Sequence, residues 1–212
     1  MEEIIVSGIT YSLNEDGKTA CVESCEYIDI EEAVVVKSLR VGAKEYPVTR
    51  ISDYAFYECY WLRSVEIPMG VTDIGNYAFY GCSSLRSIAI PASVTDIGEY
   101  AFWGCCGLRS IVVDKRNVVY DSRGNCNAIV ETDTNMLVLS CKASRIPESV
   151  SSVYEDAISS VCSQHSTTLR NCTNRIGKFE LFSHMSVCTT EISGNVDVLA
   201  RCFISIGIAN KI

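Results

Sequence analysis

Between about residues 46 and 113 the sequence repeats itself at an interval of 23 residues, and this limits the fold more than any other feature. Ala55-Phe56, Ala78-Phe79 and Ala101-Phe102 fall in step, as do Cys59, Cys82 and Cys105, then Leu62, Leu85 and Leu108. The pairs Arg63-Ser64, Arg86-Ser87 and Arg109-Ser110 follow, and Ile67-Pro68 aligns with Ile90-Pro91. A unit this short cannot bury its own apolar face, so three such units must stack and need caps at their ends.

Each unit divides into two parts. Leu85-Arg86-Ser87-Ile88-Ala89-Ile90 places apolar residues at i, i+3 and i+5, the spacing of a solenoid strand with Leu85, Ile88 and Ile90 turned inward. From Val94 through Ile97 to Ala101, Phe102 and Cys105 the apolar spacing is three to four, which predicts a short helical turn on the convex side. Pro68 and Pro91 lack an N–H for a strand ladder and are read as strand terminators.

The run Y-A-F-Y-G-C-S-S-L-R-S-I-A-I-P-A-S-V-T-D-I-G, from Tyr77 to Gly98, closely resembles the BspA-like leucine-rich repeats of bacterial and protist surface proteins. The resemblance is tight over residues 46–113 and looser over 118–158. It implies adhesion or protein recognition, at the cell surface or after secretion. The spacing by itself predicts only the solenoid: a β-rich α/β fold with short convex helical turns and an N-terminal β-hairpin cap.

Residues 1–47 lack the repeat. Gly8 to Leu13 and Thr19 to Glu23 flank the turn signal Asn14-Glu15-Asp16-Gly17 and read as a β-hairpin, joined in a cap by strands at Ala33 to Val36 and Tyr46 to Val48. The solenoid is expected over 48–162, interrupted near 117–141 by a hairpin of Ala128 to Glu131 and Met136 to Leu139 around Asp133-Thr134-Asn135. The repeat resumes at Ile146-Pro147, with Val153 and Ala157-Ile158 matching Ile97 and Ala101-Phe102. Residues 163–212 leave the pattern and read as a divergent cap, a separate element or a shifted-frame tail.

The most promising contact surface is the concave strand face, with Ser64, Glu66, Ser87, Ala89, Ser110 and Val112 outward. Arg63, Arg86 and Arg109 form a column beside it at about 4.8 Å spacing. Such neighbours repel by about 1 kcal/mol each in water, so they are either a solvated ladder beside Asp73 and Asp96 or a contact for an anionic partner. Tyr57, Tyr80 and Trp103, like Tyr54, Tyr77 and Tyr100, form aromatic columns that serve as convex packing or as a recognition stripe. Phe56, Phe79, Phe102, Leu62, Leu85, Leu108, Cys59, Cys82 and Cys105 are the expected core rows, each Cys acting as a small buried hydrophobe.

A net charge of −8 excludes phosphate-dominated nucleic-acid binding, and no stretch is long and apolar enough to span a membrane. The N-terminus shows no secretion signal. With two histidines and no G-x-S-x-G, P-loop or H-E-x-x-H, no catalytic residue, cofactor or metal is expected. The best zinc constellation, Cys162-x-x-His165 with His184-x-x-x-Cys188, has an unusual ligand order, and Asn171-Cys172-Thr173 fits a glycosylation triplet. The reading is a non-catalytic module for a protein or surface ligand. A vestigial structural fragment and, last, a zinc-binding tail are the alternatives.

Overall fold

In the computed structural model, residues 3–25, 31–154 and 157 are described. The chain opens with β1 (Ile4–Val6), β2 (Ile9–Leu13) and β3 (Ala20–Cys25), paired antiparallel in order. Ser7 and Gly8, at φ 51° and 79°, make the two-residue turn whose twist matches that of the strands it joins. Asp16 closes the next turn by accepting hydrogen bonds from the Lys18 and Thr19 N–H groups at 2.7 and 2.9 Å. Ile9 and Tyr11 on β2, with Ala20 and Val22 on β3, are fully buried.

Next come β4 (Glu32–Val34), β5 (Ser38–Val41) and β6 (Lys44–Ile51), of which β5 and β6 form a hairpin. From here each coil gives one strand to each of two sheets. The first sheet gains β8 (Asp73–Ile74) and β10 (Asp96–Ile97), parallel to β6, and runs β1-β2-β3-β6-β8-β10. The second contains β4, β7 (Ser64–Glu66), β9 (Ser87–Ile90) and β11 (Ser110–Val113), all parallel. The strand expected over Ala33 to Val36 is found at Glu32–Val34 and pairs with β7 in this second sheet, its exposed–buried–exposed pattern putting Ala33 beside Val65 in the core.

Between the sheets lies a column of identical contacts. Phe56, Phe79 and Phe102 stack with centroids 5.0 and 5.3 Å apart and planes within 5°. Leu62, Leu85 and Leu108 are fully buried beside them, and Ile88, Ile90, Ile111 and Val94 complete the interior. The repeated apolar residues become vertical neighbours because adjacent parallel strands pair Ser64 with Ser87 and Ser87 with Ser110.

The expected helical turns are replaced by linked β-turns. Within the first coil Ala55, Tyr57, Cys59 and Leu62 donate to the carbonyl three residues back, yet Tyr54, Phe56 and Glu58 donate across to Asn76, Ala78 and Tyr80 of the next coil. Alternate amides thus serve the stack instead of a helix. Tyr54, Tyr77 and Tyr100 also adopt φ of 62°, 56° and 54°, a left-handed conformation that no α-helix continues through. Among the described residues the only helix is the 3-10 turn Arg123–Asn125.

A third sheet follows: β12 (Tyr120–Asp121), β13 (Ala128–Glu131), β14 (Met136–Ser140) and β15 (Ser152–Val153). The β13–β14 hairpin is a wall buried on both sides. Ile129 and Leu139, directly paired, join the main core; Ala128, Val130 and Leu137 face a second cluster with Cys126, Val150, Val153 and Ala157. Among the described residues no helix is long and apolar enough to cross a membrane.

Candidate functional site

The outer face of the β4-β7-β9-β11 sheet presents Glu32, Val34, Glu66, Ser87, Ala89, Ser110 and Val112 to solvent, with Ser64 half-buried. Val65, Ile88 and Ile111 point the other way and anchor the strands to the core. Side chains alternate between faces along a strand, so this composition follows from the strand register itself. It is a shallow surface floored by small groups.

Arg63, Arg86 and Arg109 stand just before β7, β9 and β11. Their backbone continues the ladder: the Arg63 N–H donates to the Glu31 carbonyl at 2.6 Å, and those of Arg86 and Arg109 donate to Arg63 and Arg86 carbonyls at 2.9 Å. The guanidiniums are not equivalent. Arg63 pairs with Glu31 at 3.0 Å, both side chains being about half exposed, whereas among the described residues neither Arg86 nor Arg109 forms an ion pair. Asp73 and Asp96, expected beside this column, lie on the first sheet in register with Arg50. The face therefore carries Glu31, Glu32 and Glu66 at the β4–β7 end and unneutralised arginines at the β9–β11 end.

The aromatic columns occupy the turns. Tyr54 stacks on Tyr77 at 5.0 Å and Tyr77 on Tyr100 at 5.3 Å, while Tyr57 stacks on Tyr80 at 5.0 Å. Trp103 meets Tyr100 edge-on at 5.8 Å and 72°. Stacking consumes ring faces, so inner rungs offer only edges to solvent. The first rung differs: Tyr54, Tyr57, Tyr60 and Trp61 are all exposed, Tyr54 and Trp61 by 54% each. A hydrogen bond to Glu58 is the main reason the Tyr60 hydroxyl is held above its ordinary range.

Cys82 and Cys105 are fully buried, and their thiols donate to the Phe56 and Phe79 carbonyls of the preceding coils at 3.1 and 3.2 Å. Cys59 is half-buried. A thiol–thiol hydrogen bond with Cys25 and burial push the Cys59 thiol up, and Cys105 with burial does the same to Cys82. Among the described residues no three His, Cys, Asp or Glu side chains are grouped to hold a metal. Cys162, His165, His184, Cys188 and the triplet at Asn171 lie outside the described residues.

Four elements of this surface escaped the sequence reading: Glu31 as the partner of Arg63, Cys25 as a neighbour of the cysteine column, the Tyr60-Trp61 exposure, and Asn127. The Asn127 side chain accepts from the Ile111 N–H at 2.6 Å and donates to the Arg109 carbonyl at 2.8 Å, while Ser122 Oγ accepts from the Val113 N–H at 3.2 Å. These side chains occupy backbone groups that another strand would need. The only available signal was an asparagine pair, Asn125 and Asn127, at left-handed φ of 55° and 56°.

No curated protein matches the chain. A leucine-rich-repeat protein from Bacteroides ovatus is 25% identical with a TM-score of 0.52, covering 71% of this chain and 37% of its own. A leucine-rich cell surface protein from Faecalibacterium prausnitzii is 19% identical with a TM-score of 0.37, covering 66% of this chain and 61% of its own. The chain thus spans less than two thirds of the length of either structure. The family model for the BspA type leucine-rich repeat region matches in six copies over residues 47–128. Over that stretch the chain is similar to BspA-type leucine-rich repeats.

Proposed function

We propose that the chain is a non-catalytic binding module that holds a protein or surface ligand against the β7-β9-β11 face, displayed at the cell surface as the family resemblance implies. The observation that carries this reading is the unneutralised Arg86–Arg109 pair beside the small, exposed Ser87, Ala89 and Ser110. Two guanidiniums carried on consecutive backbone rungs present paired donors, which suits a partner carrying carboxylates. Three strands at about 4.8 Å, each some 10 Å long, offer on the order of 150 Å², against about 800 Å² per partner in a standard interface. One-to-one binding is accordingly weak and gains strength from multiple copies.

The test uses an immobilised acidic peptide and the full chain. Arg86→Ser with Arg109→Ser weakens capture several-fold, and added salt weakens wild-type capture as it screens the exposed charges. Arg63→Ser changes it less, since Glu31 already engages that side chain. Equal capture by wild type and the double variant refutes the arginine contact. A second reading, contact through the first aromatic rung, rests on the joint exposure of Tyr54, Tyr57, Tyr60 and Trp61; Tyr57→Ser with Trp61→Ser then removes binding that the arginine variants retain.

A further inference from the structure

The cysteine column has a fourth member that lies outside the repeat. In each coil the sulfur reaches back to one residue of the coil before it: Cys82 to Phe56 and Cys105 to Phe79. Those two residues share a backbone position, because the Phe56 N–H donates to the Ala78 carbonyl and the Phe79 N–H to the Ala101 carbonyl. In the cap the matching position belongs to Cys25, whose N–H donates to the Ala55 carbonyl at 2.8 Å. Cys59, one coil further on, therefore reaches back to a cysteine instead of a phenylalanine. The Cys25 and Cys59 thiols come close enough to hydrogen-bond to each other.

We propose that Cys25 and Cys59 form an oxidisable pair whose disulfide fastens the N-terminal cap to the first coil, while Cys82 and Cys105, buried in the same column, stay reduced. Both members of the outer pair are half-buried and both members of the inner pair are fully buried, so a small peroxide meets the outer pair first. One of the two sulfurs attacks first, the thiolate being the nucleophile. It cleaves the O–O bond, becoming a sulfenic acid and releasing one water after proton uptake. The other sulfur then displaces the sulfenic oxygen as a second water. One peroxide takes two electrons from two thiols, and both thiol protons end in water.

The experiment treats the full chain with a small excess of hydrogen peroxide under native conditions, blocks remaining thiols with N-ethylmaleimide and maps non-reduced peptides by mass spectrometry. A Cys25–Cys59 linked peptide is expected, with Cys82 and Cys105 found alkylated after unfolding. Oxidation raises Tm by about 5 °C, dithiothreitol reverses the gain, and Cys59→Ser lacks it. Any of three results overturns the proposal: Cys25 and Cys59 both remaining alkylatable, either one linked instead to another cysteine such as Cys106 or Cys162, or a Cys82–Cys105 link appearing as fast. Because the map is read on the wild-type chain, it decides the matter even where Cys59→Ser fails to fold.

Discussion

The coils approach so closely that single atoms decide whether they stack. A Cβ added at Gly98 would lie 2.6 Å from the Asn76 backbone nitrogen, and one at Gly75 would lie 2.6 Å from that of Asp53. Gly98→Ala is expected to cost about 1–3 kcal/mol by overpacking, measured as a fall in the urea midpoint. Thr10 poses the opposite problem: its hydroxyl is buried and, among the described residues, is the one buried side-chain oxygen or nitrogen lacking a hydrogen-bond partner. Thr10→Val keeps the shape and removes an unsatisfied group, so it should stabilise by about 1 kcal/mol; a lower midpoint would mean that the hydroxyl is satisfied in solution. Phe79 was legible in the sequence because identical large residues at a fixed interval have one economical explanation. Gly98 was equally periodic with Gly75, but a glycine advertises neither a turn nor a close approach until the neighbouring backbone is known.

Among the elements, the sequence spoke clearly where apolar residues alternate and poorly where the backbone bends. Ile88 and Ile111 follow from alternation, and the Ala128–Glu131 and Met136–Ser140 strands from short continuous apolar runs on either side of a turn signal. Spacing of three to four suggested helical turns over 94–105, but a left-handed tyrosine and the loss of alternate amides to the next coil produce the same spacing without a helix. The end of the second sheet was invisible for a related reason, since it is finished by the side chains of Asn127 and Ser122 instead of by a strand. Asn127→Ala frees the Ile111 N–H and the Arg109 carbonyl. A loss of about 1–2 kcal/mol is expected, along with concentration-dependent association in sedimentation measurements as β11 becomes an open edge. Asn127→Asp, which keeps the acceptor for Ile111, should recover part of the stability.

Across the whole molecule the −8 charge and its local pairing make acid stability predictable in sign. At Asp121 burial pushes the carboxyl up, but the Arg123 guanidinium, at 2.7 and 2.9 Å, and its N–H pull it down further, leaving it below the usual carboxylate range. Asp114 is held at about 2, mainly by the Arg116 side chain, which is itself largely exposed, so that screening limits the pair's worth. Glu23 and Asp16 are lowered as well. A carboxyl whose folded value is depressed takes up its proton in the unfolded chain first, so the unfolded state binds more protons as acid is added. The stability these groups contribute is complete above the ordinary value of about 4 and disappears as pH falls through the lowered folded values, for Asp114 towards 2. The urea midpoint should therefore hold nearly constant from pH 7 to 5 and then decline steadily. Asp121→Asn removes one contributor: its midpoint should be lower than wild type at pH 7, where the Arg123 contact is lost, and should approach wild type towards pH 2. Parallel curves over that range would show that the Asp121–Arg123 pair, despite bonds from both Nε and Nη2, adds nothing that titrates.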